Sequence, residues 1–280
     1  MFDFHSSLAK FLNRKTNHKV LTTDWYGSDS KKKFVENLKI DYTKLEAYIK
    51  NPIKYVWNKD GFRSDFEYRP QKNLEVDIYL GCSHTLGTGH HTENTWPYHV
   101  SQITGNRAIN LGQGGTGTEI SFINLSKYIK FFKVVNVFHF QPVYARYTFP
   151  FKGQIGNVLI QNVDLETGEE DYVPWKKKHI KEELIRDDTI AYYHFKHIMA
   201  IQGICNAYNV PYFHFTGDRE LPLSKVPTLK EVDKDTVARD LVHFTCKQQK
   251  NIADNFINML TFNTKGYNEM NTQWTKTNLI

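Results

Sequence analysis

The chain has 280 residues, a length that is enough for one domain with a full core. Hydrophobic residues make up 40% of it and charged residues 24%, and its formal net charge is +6. Two short basic runs, residues 31–33 and 176–178, are flanked by acids or aromatics and accompany no arginine-rich stripe, so nucleic-acid binding is not predicted. No apolar run could span a bilayer and no signal peptide is recognisable, so we expect no membrane span and a cytoplasmic location in which Cys82, Cys205 and Cys246 stay reduced.

Residues 1–73 form a polar region rich in aromatic side chains, which we interpret as an N-terminal extension. Short helices are predicted at residues 8–12 and 33–49. A turn is predicted at residues 58–64, where Asp60 and Gly61 form an Asp-Gly turn signal.

From residue 74 onward, apolar segments alternate with segments of helical periodicity. The predicted strands are residues 75–80, 107–111, 134–140 and 211–215. The predicted helices are residues 96–105, entered through Thr95 as a cap, 118–131, 187–208, and 245–260, capped by Thr245. This alternation predicts an α/β fold with helices on both faces of a parallel sheet, over residues 74–262, and a C-terminal tail at 263–280. In such sheets ligands bind beyond the carboxyl ends of the strands.

Residues 155–175 interrupt the alternation. Two strand-like segments, 158–163 and 172–175, flank a turn signal at 166–169, which predicts a β-hairpin insertion. A flap over the site and a plain surface hairpin are equally compatible with this pattern.

Residues 81–87, with the sequence GCSHTLG, directly follow the first predicted strand. A strand that ends in glycine can turn sharply and present the Ser83 hydroxyl at the start of the next helix, where free backbone N–H groups can hold an anion. Ser83 is therefore a candidate nucleophile and its N–H a candidate oxyanion donor. A serine that simply caps the helix is the structural alternative.

Two further segments follow the next strands. Residues 110–117, NLGQGGTG, form a glycine-dense loop whose N–H groups can cradle an anion, but the spacing fits neither a dinucleotide site nor a phosphate loop, so no cofactor is predicted. Gln141 ends the third strand, where its amide would face the same crevice and could donate to an oxyanion. A flexible turn and an ordinary turn residue before a proline are the alternatives.

Asp240 stands three residues before His243 on a loop that leads into the last predicted helix. This step can bring the carboxylate against one ring nitrogen and leave the other free to face a hydroxyl. A capping or surface pair is the alternative. With Ser83, the two residues supply the nucleophile, base and orienting acid of a serine hydrolase, in a chain order that differs from those of trypsin and subtilisin.

In this order, the four segments resemble the four sequence blocks of the SGNH (GDSL) hydrolase superfamily of esterases and lipases. The resemblance implies a flavodoxin-like three-layer α/β/α sandwich over residues 74–262. It also implies Ser83 as nucleophile, His243 as base and Asp240 as the residue that orients the base. The N–H groups of Ser83 and Gly115 would be oxyanion donors, with Gly115 selected by its spacing from the start of the glycine-dense loop.

Two positions depart from the family pattern. Cys82 replaces the usual aspartate of the first block, outside the triad, and Gln141 replaces the usual asparagine of the third block. Glutamine is one methylene longer, so its amide would donate to the oxyanion from a shifted position or not at all. Loss of one oxyanion donor costs about 2.7–4 kcal/mol of transition-state stabilisation.

The prediction from the sequence is a serine esterase that hydrolyses carboxylic esters through an acyl-enzyme. O-acetyl groups on carbohydrates are a common substrate class in the resembled family, so the expected partner is a small-molecule or carbohydrate ester. A non-catalytic glycan-binding or structural module on a degenerate SGNH fold is the alternative. A phosphodiester or thioester hydrolase on the same scaffold is a third reading.

Residues around these segments supply candidate substrate contacts, namely His84 beside the nucleophile and Tyr144 and Arg146 after the third strand. Packing or surface roles for these residues are the alternatives. The histidines that follow Ser83 lack the spacing and intervening glutamate of a zinc-protease motif, so no metal site is predicted.

Overall fold

A computed structural model of the chain describes residues 21–142, 146–151, 154–159, 187–216 and 237–277. The strands are β1 Leu21–Thr23, β2 Tyr55–Trp57, β3 Gln71–Leu80, β4 Arg107–Asn110, β5 Phe132–Gln141, β6 Arg146–Phe151, β7 Gln154–Leu159 and β8 Tyr212–Thr216. The α-helices are α1 Lys31–Ile40, α2 Tyr42–Lys50, α3 Ser83–Leu86, α4 Trp96–Thr104, α5 Thr118–Tyr128, α6 Asp187–Ala207 and α7 Cys246–Thr277. Single 3₁₀ turns lie at Thr92–Asn94 and Ile129–Phe131.

Within the described residues, four strands form a parallel sheet in the order β4-β3-β5-β8. Numbered along the chain, these strands run 2-1-3-4, the order of flavodoxin-like sheets. The order reverses between β3 and β5, so the crevice at the carboxyl ends of these two strands is the place where such folds bind ligands. The predicted α/β fold with a parallel sheet is confirmed.

Helices cover both faces of the sheet because the strands bury side chains on both sides. Phe138 on β5 packs with Trp96 of α4 and Phe256 of α7 on one face. Its neighbour Val137 packs on the other face with a cluster that includes Ile201 of α6. The result is a three-layer α/β/α arrangement.

The helix predicted at residues 33–49 is two helices that meet at Asp41. The Asp41 N–H ends α1 by donating to the Asn37 carbonyl, and its carboxylate starts α2 by accepting from the Lys44 N–H. A single aspartate thus serves as the last cap of one helix and the first cap of the next, which periodicity alone does not indicate. The segment predicted as helical at residues 8–12 lies outside the described residues.

The two predicted helix caps differ in outcome. Thr245 forms a capping box: its hydroxyl accepts from the Gln248 N–H, and Gln248 Oε1 accepts from the Thr245 N–H. Thr95 occupies the predicted N-cap position of α4, but its side chain makes no capping hydrogen bond, because its hydroxyl donates to the Thr92 carbonyl instead. The Trp96 N–H is satisfied by Oε1 of buried Gln249, which reaches it from α7.

Helix α7 runs to Thr277, through most of the segment interpreted as a C-terminal tail. A hairpin is also present near the predicted insertion, but β6 pairs antiparallel with β7, so residues 155–159 belong to its second strand. The rest of the predicted insertion, residues 160–175, lies outside the described residues, and its pairing stays a prediction.

The described part of the N-terminal region shares its core with the sheet domain. Leu45, Tyr55 and Trp57 form a buried cluster with Leu86 of α3 and with Val237. The predicted Asp-Gly turn is present there, with the Gly61 N–H donating to the Asn58 carbonyl. This cluster contacts the helix that carries Ser83 and the loop that precedes Asp240. The N-terminal region therefore packs against the elements that carry the candidate site.

Candidate active site

Ser83 is the first residue of the four-residue helix α3, directly after β3. Gly81 makes the turn possible, with φ at +147° and no room for a side chain: a Cβ there would lie 2.1 Å from Thr85 Oγ1 and 2.5 Å from the Phe140 carbonyl oxygen. Only glycine tolerates this backbone and this close approach to β5. The strand-to-helix turn predicted from the sequence is therefore present.

Ser83 does not serve as a helix cap. The cap position belongs to Cys82, whose buried side chain makes no capping hydrogen bond. The Ser83 hydroxyl is partly buried and has one weak contact, 4.0 Å to Cys82 Sγ. The structural alternative that a serine here caps the helix does not describe this chain.

The glycine-dense loop after β4 is fastened against the Ser83 turn. Asn110 links the two: its Nδ2 donates to the Thr85 carbonyl over 2.8 Å, and its Oδ1 accepts from the Gly112 N–H over 2.9 Å. At Gly112 a Cβ would lie 2.7 Å from the Leu86 nitrogen, so glycine is required for this packing. Gly115 follows with φ at +80°, within the turn that the resemblance assigns to an oxyanion donor.

Asp240 and His243 form a buried pair at the same end of the sheet. His243 Nδ1 donates to Asp240 Oδ2 over 2.7 Å, and the backbone N–H groups of Val242 and His243 donate to Asp240 Oδ1. The carboxylate side chain is fully buried and the imidazole is 9% exposed. A surface pair is therefore excluded, and the imidazole is held with its Nε2 directed away from Asp240.

The Asp240 carboxyl group is ionised in this setting. Burial raises its pKa, but the hydrogen bond and charge of His243, with donors from Ser28 and Val242, outweigh burial and lower the pKa below the usual range. A carboxylate that stays charged can stabilise an imidazolium that forms beside it.

The His84 ring contacts the histidine of the predicted triad and the phenylalanine that follows it. Its centroid is 5.0 Å from that of His243 and 3.9 Å from that of Phe244, on which it stacks. Since Ser83 immediately precedes His84, these contacts bring the Asp240–His243 pair to the Ser83 turn. Within the described residues, no hydrogen bond joins Ser83 to His243. Catalytic hydrogen bonds are often long before substrate binds.

Burial keeps the two other histidines near Ser83 uncharged. Burial, followed by the charges of His243 and Arg146, lowers the pKa of His84 well below its usual value. Burial lowers the pKa of His90 to about 4, and its ring is fixed by a 2.6 Å hydrogen bond to the Phe244 carbonyl. At neutral pH, neither of these two neighbouring histidines carries a positive charge that would oppose protonation of His243.

A tight turn in the N-terminal region contacts both sides of the crevice. Residues 26–29 form this turn through reciprocal backbone hydrogen bonds between Tyr26 and Asp29. The Ser28 hydroxyl donates to Asp240 Oδ2 over 2.6 Å, the same oxygen that accepts from His243. The Tyr26 ring covers Gly114, where a Cβ would lie 3.0 Å from Tyr26 Cε1.

The same turn anchors the loop that carries the pair. Asp29 accepts from Arg239 Nε and Nη2 over 2.8 and 2.6 Å, and from the Tyr55 hydroxyl over 2.5 Å. The Arg239 guanidinium also stacks 4.0 Å above the Trp25 ring. Sequence reasoning missed these residues. The turn signal at Gly27 was visible, but nothing local links it to a loop more than two hundred residues away.

Gln141 lies at the end of β5 and is buried. Its Oε1 accepts from His214 Nε2 over 2.9 Å on the neighbouring strand, while its Nε2 is buried and has no hydrogen-bond partner among the described residues. Burial lowers the pKa of His214 to about 4, so this histidine is neutral and its Nε2–H fixes the amide orientation. Within the described part of the chain, an amide donor is thus left without a partner at the carboxyl end of the sheet.

The remaining predictions for the site concern substrate contacts and metals. Tyr144 lies outside the described residues, whereas Arg146 opens β6 with its carbonyl oxygen against Gly117. The described residues contain no cluster of histidine, cysteine or carboxylate side chains fit to hold a metal ion. In the same part of the chain, none of the helices combines the length and apolar character needed to cross a membrane.

Comparisons with known proteins show a distant structural likeness. No family model and no curated protein match the chain. One solved structure that matches is a protein from Desulfitobacterium hafniense DCB-2, described as a candidate lipolytic protein of the G-D-S-L family. It is 16% identical over 65% of this chain and 97% of its own length, with a TM-score of 0.32. At this distance, the chemistry of the site has to come from its own geometry.

Proposed function

We propose that this protein is a serine ester hydrolase of SGNH type, with Ser83 as nucleophile, His243 as base and Asp240 as the residue that orients the base. The observation that carries the proposal is the buried Asp240–His243 hydrogen bond of 2.7 Å beside the Ser83 turn. An aspartate in this position selects the imidazole tautomer with its proton on Nδ1, which leaves Nε2 able to accept a proton.

The proposed reaction is a two-step acyl transfer. Ser83 Oγ attacks the ester carbonyl carbon while its proton passes to His243 Nε2, and the alcohol departs with that proton. Water then attacks the acyl-enzyme, again through His243, and releases the acid and the free serine. The charge that develops on His243 in both steps is stabilised by the ionised Asp240 carboxylate.

The oxyanion would be bound by the backbone N–H groups of Ser83 and Gly115 and by Gln141 Nε2. The free, buried donor on Gln141 supports this role, because an unsatisfied buried N–H costs about 1–3 kcal/mol unless a ligand completes it. The hydrogen bond from His214 would hold the donor in place without a substrate, and such preorganised donors are the effective ones in catalysis.

Carbohydrate O-acetyl esters are the substrate class that we propose. The half-buried Tyr26 ring lies on the side of the crevice where it covers the glycine-dense loop, and buried Trp57 supports it from behind with ring centroids 4.7 Å apart. An aromatic face of this kind packs well against the apolar face of a sugar ring. This part of the proposal depends on family resemblance for the acetyl group and on the Tyr26 ring for the sugar.

The direct test of the serine mechanism is covalent labelling. A fluorophosphonate should add to the native protein at a single site, and digestion followed by mass spectrometry should locate the label on Ser83. Ser126→Ala removes a hydroxyl from the exposed face of α5 and should label normally, whereas Ser83→Ala should not. A label on any other residue, or an unlabelled native protein that is folded, would contradict the mechanism.

Replacement of Gln141 by methionine should lower kcat for an activated ester by about 10²–10³-fold with little change in KM, because the lost donor acts on the developing oxyanion. Gln102→Met, on the exposed surface of α4, provides the matched control. Retention of full kcat by a folded Gln141→Met protein would remove Gln141 from the oxyanion site. Sugar binding without any ester turnover in the native protein would instead favour the glycan-binding alternative.

A further inference from the structure

Arg146 is a cationic side chain next to the candidate active site that has no anionic partner in the part of the chain that the structure describes. It takes part in no salt bridge within the described residues. Its Nη1 is buried and lacks a hydrogen-bond partner there. Arg146 as a whole is half-buried, but this one donor is costly, because a charged N–H removed from water without a partner loses its hydration with no compensation.

The backbone fixes where this arginine starts. Arg146 opens β6 five residues after Gln141 ends β5, and its carbonyl oxygen would lie 2.7 Å from a Cβ on Gly117, the last residue of the glycine-dense loop. The strand start therefore lies against the loop that is proposed to hold the oxyanion. The guanidinium must project from this point.

The effect of Arg146 on His84, across the crevice, indicates where the guanidinium lies. The positive charge of Arg146 contributes to lowering the pKa of His84, after burial and the charge of His243. The His84 ring is 5.0 Å from the His243 ring, and its own Nδ1 is also buried without a hydrogen-bond partner. Two unsatisfied donors or acceptors, on Arg146 and His84, thus lie near the proposed reacting atoms.

The two acidic groups nearest to this site, Asp240 and Glu119, form no salt bridge with Arg146 within the described residues. Asp240 is occupied by His243, Ser28 and two backbone N–H groups. Glu119 lies against Gly117, with its carboxylate oxygens 2.6 and 2.7 Å from where a Cβ would be, but it forms no salt bridge with Arg146 within the described residues. Within the described residues Arg146 therefore has no acidic partner, and an external anion would supply one.

We propose that Arg146 binds an anionic oxygen group, a carboxylate or a phosphate, carried by the ester substrate. This inference rests on the proposed function and narrows its substrate class from esters in general to negatively charged esters. The planar guanidinium suits such groups because two parallel N–H donors match two anionic oxygens. His84, neutral beside it, would contact the same end of the substrate as a hydrogen-bonding group.

The test compares charged esters with neutral esters of the same shape. On the alcohol side, the pair is para-acetoxybenzoate and para-acetoxybenzamide. On the acyl side, it is p-nitrophenyl hydrogen adipate and p-nitrophenyl hexanoate. The native protein should prefer the charged member of at least one pair by about tenfold or more in kcat/KM, and Arg146→Gln should bring that ratio close to one. Arg107→Gln, at the amino end of β4, should keep the native ratio.

Two results would overturn the inference. One is a native enzyme that shows no charge preference in either pair. The other is an Arg146→Gln protein that loses both members of a pair equally, which would make Arg146 a structural residue. Arg146→Lys keeps the charge but not the planar pair of donors, and it should recover only part of the preference.

A binding measurement separates this inference from the proposed function. Benzoate and inorganic phosphate should each raise the melting temperature of native protein and of Ser83→Ala. Potassium chloride at equal ionic strength is the control. The anion that raises the melting temperature more identifies the preferred group. If no ester is hydrolysed, the serine mechanism fails, but anion binding that disappears in Arg146→Gln still supports the anion site. Absence of binding in all proteins would contradict it.

Discussion

Replacement of Ser83 by alanine should lower kcat/KM for p-nitrophenyl acetate by about 10⁴-fold or more, while the protein stays folded. The hydroxyl makes only a weak contact with Cys82 Sγ, so its loss removes no hydrogen bond on which the fold depends. The expected fall in kcat/KM is large because the nucleophile and its base act as a unit. Without the Ser83 hydroxyl, His243 has no nucleophile from which to take a proton. Steady-state kinetics of the purified variant measure it.

Two controls make the Ser83→Ala result interpretable. Ser126→Ala removes the same atom from an exposed helix position and should keep native activity. Circular dichroism and the melting temperature of Ser83→Ala should match those of the native protein. Native-level turnover in Ser83→Ala would assign the hydrolysis to another residue, and Cys246, 3.7 Å from His90 Nδ1, would then be the first alternative to replace.

The sheet and its strand ends could be predicted from the sequence because they follow local rules. The run Val76 to Leu80 is buried on both faces and apolar except at Asp77, as expected for a central parallel strand, and it is followed at once by Gly81. Asn110 and Gln141 end the next two strands, which are also recognisable as short apolar segments. Residues at strand ends converge once the topology is parallel, so pattern alone brings these positions together.

The support for the site could not be predicted in this way. Ser28 reaches Asp240, and Asp29 reaches Arg239, across more than two hundred positions of the chain. Neither serine nor aspartate in a surface-like turn carries a signal for a distant carboxylate or guanidinium. The Thr95 side chain makes no capping hydrogen bond for a related reason, since Gln249, from a distant helix, supplies the acceptor for the Trp96 N–H. Long-range polar contacts decide these positions, and local propensity does not report them.

The second large effect is expected at Asp240. Asp240→Asn should lower kcat by about 10⁴-fold, because an amide at this position favours the wrong imidazole tautomer and cannot stabilise an imidazolium. Asp254→Asn, on the exposed surface of α7, is the matched control and should be active. Ser28→Ala removes one donor to the same carboxylate oxygen but leaves the charge, so its loss of kcat should be much smaller than that of Asp240→Asn.

Asp240 also makes stability depend on pH in a direction that its pKa determines. Its pKa in the folded protein is below the unfolded value of about 3.9. Its contribution is therefore fully present above the unfolded pKa and is lost as the pH falls toward the folded pKa. Urea unfolding should show native protein more stable than Asp240→Asn by about 1–3 kcal/mol at pH 7, with the difference shrinking below about pH 4. A difference that stays constant across this range would mean that folding does not lower the Asp240 pKa, and that Asp240 orients His243 through shape and not through charge.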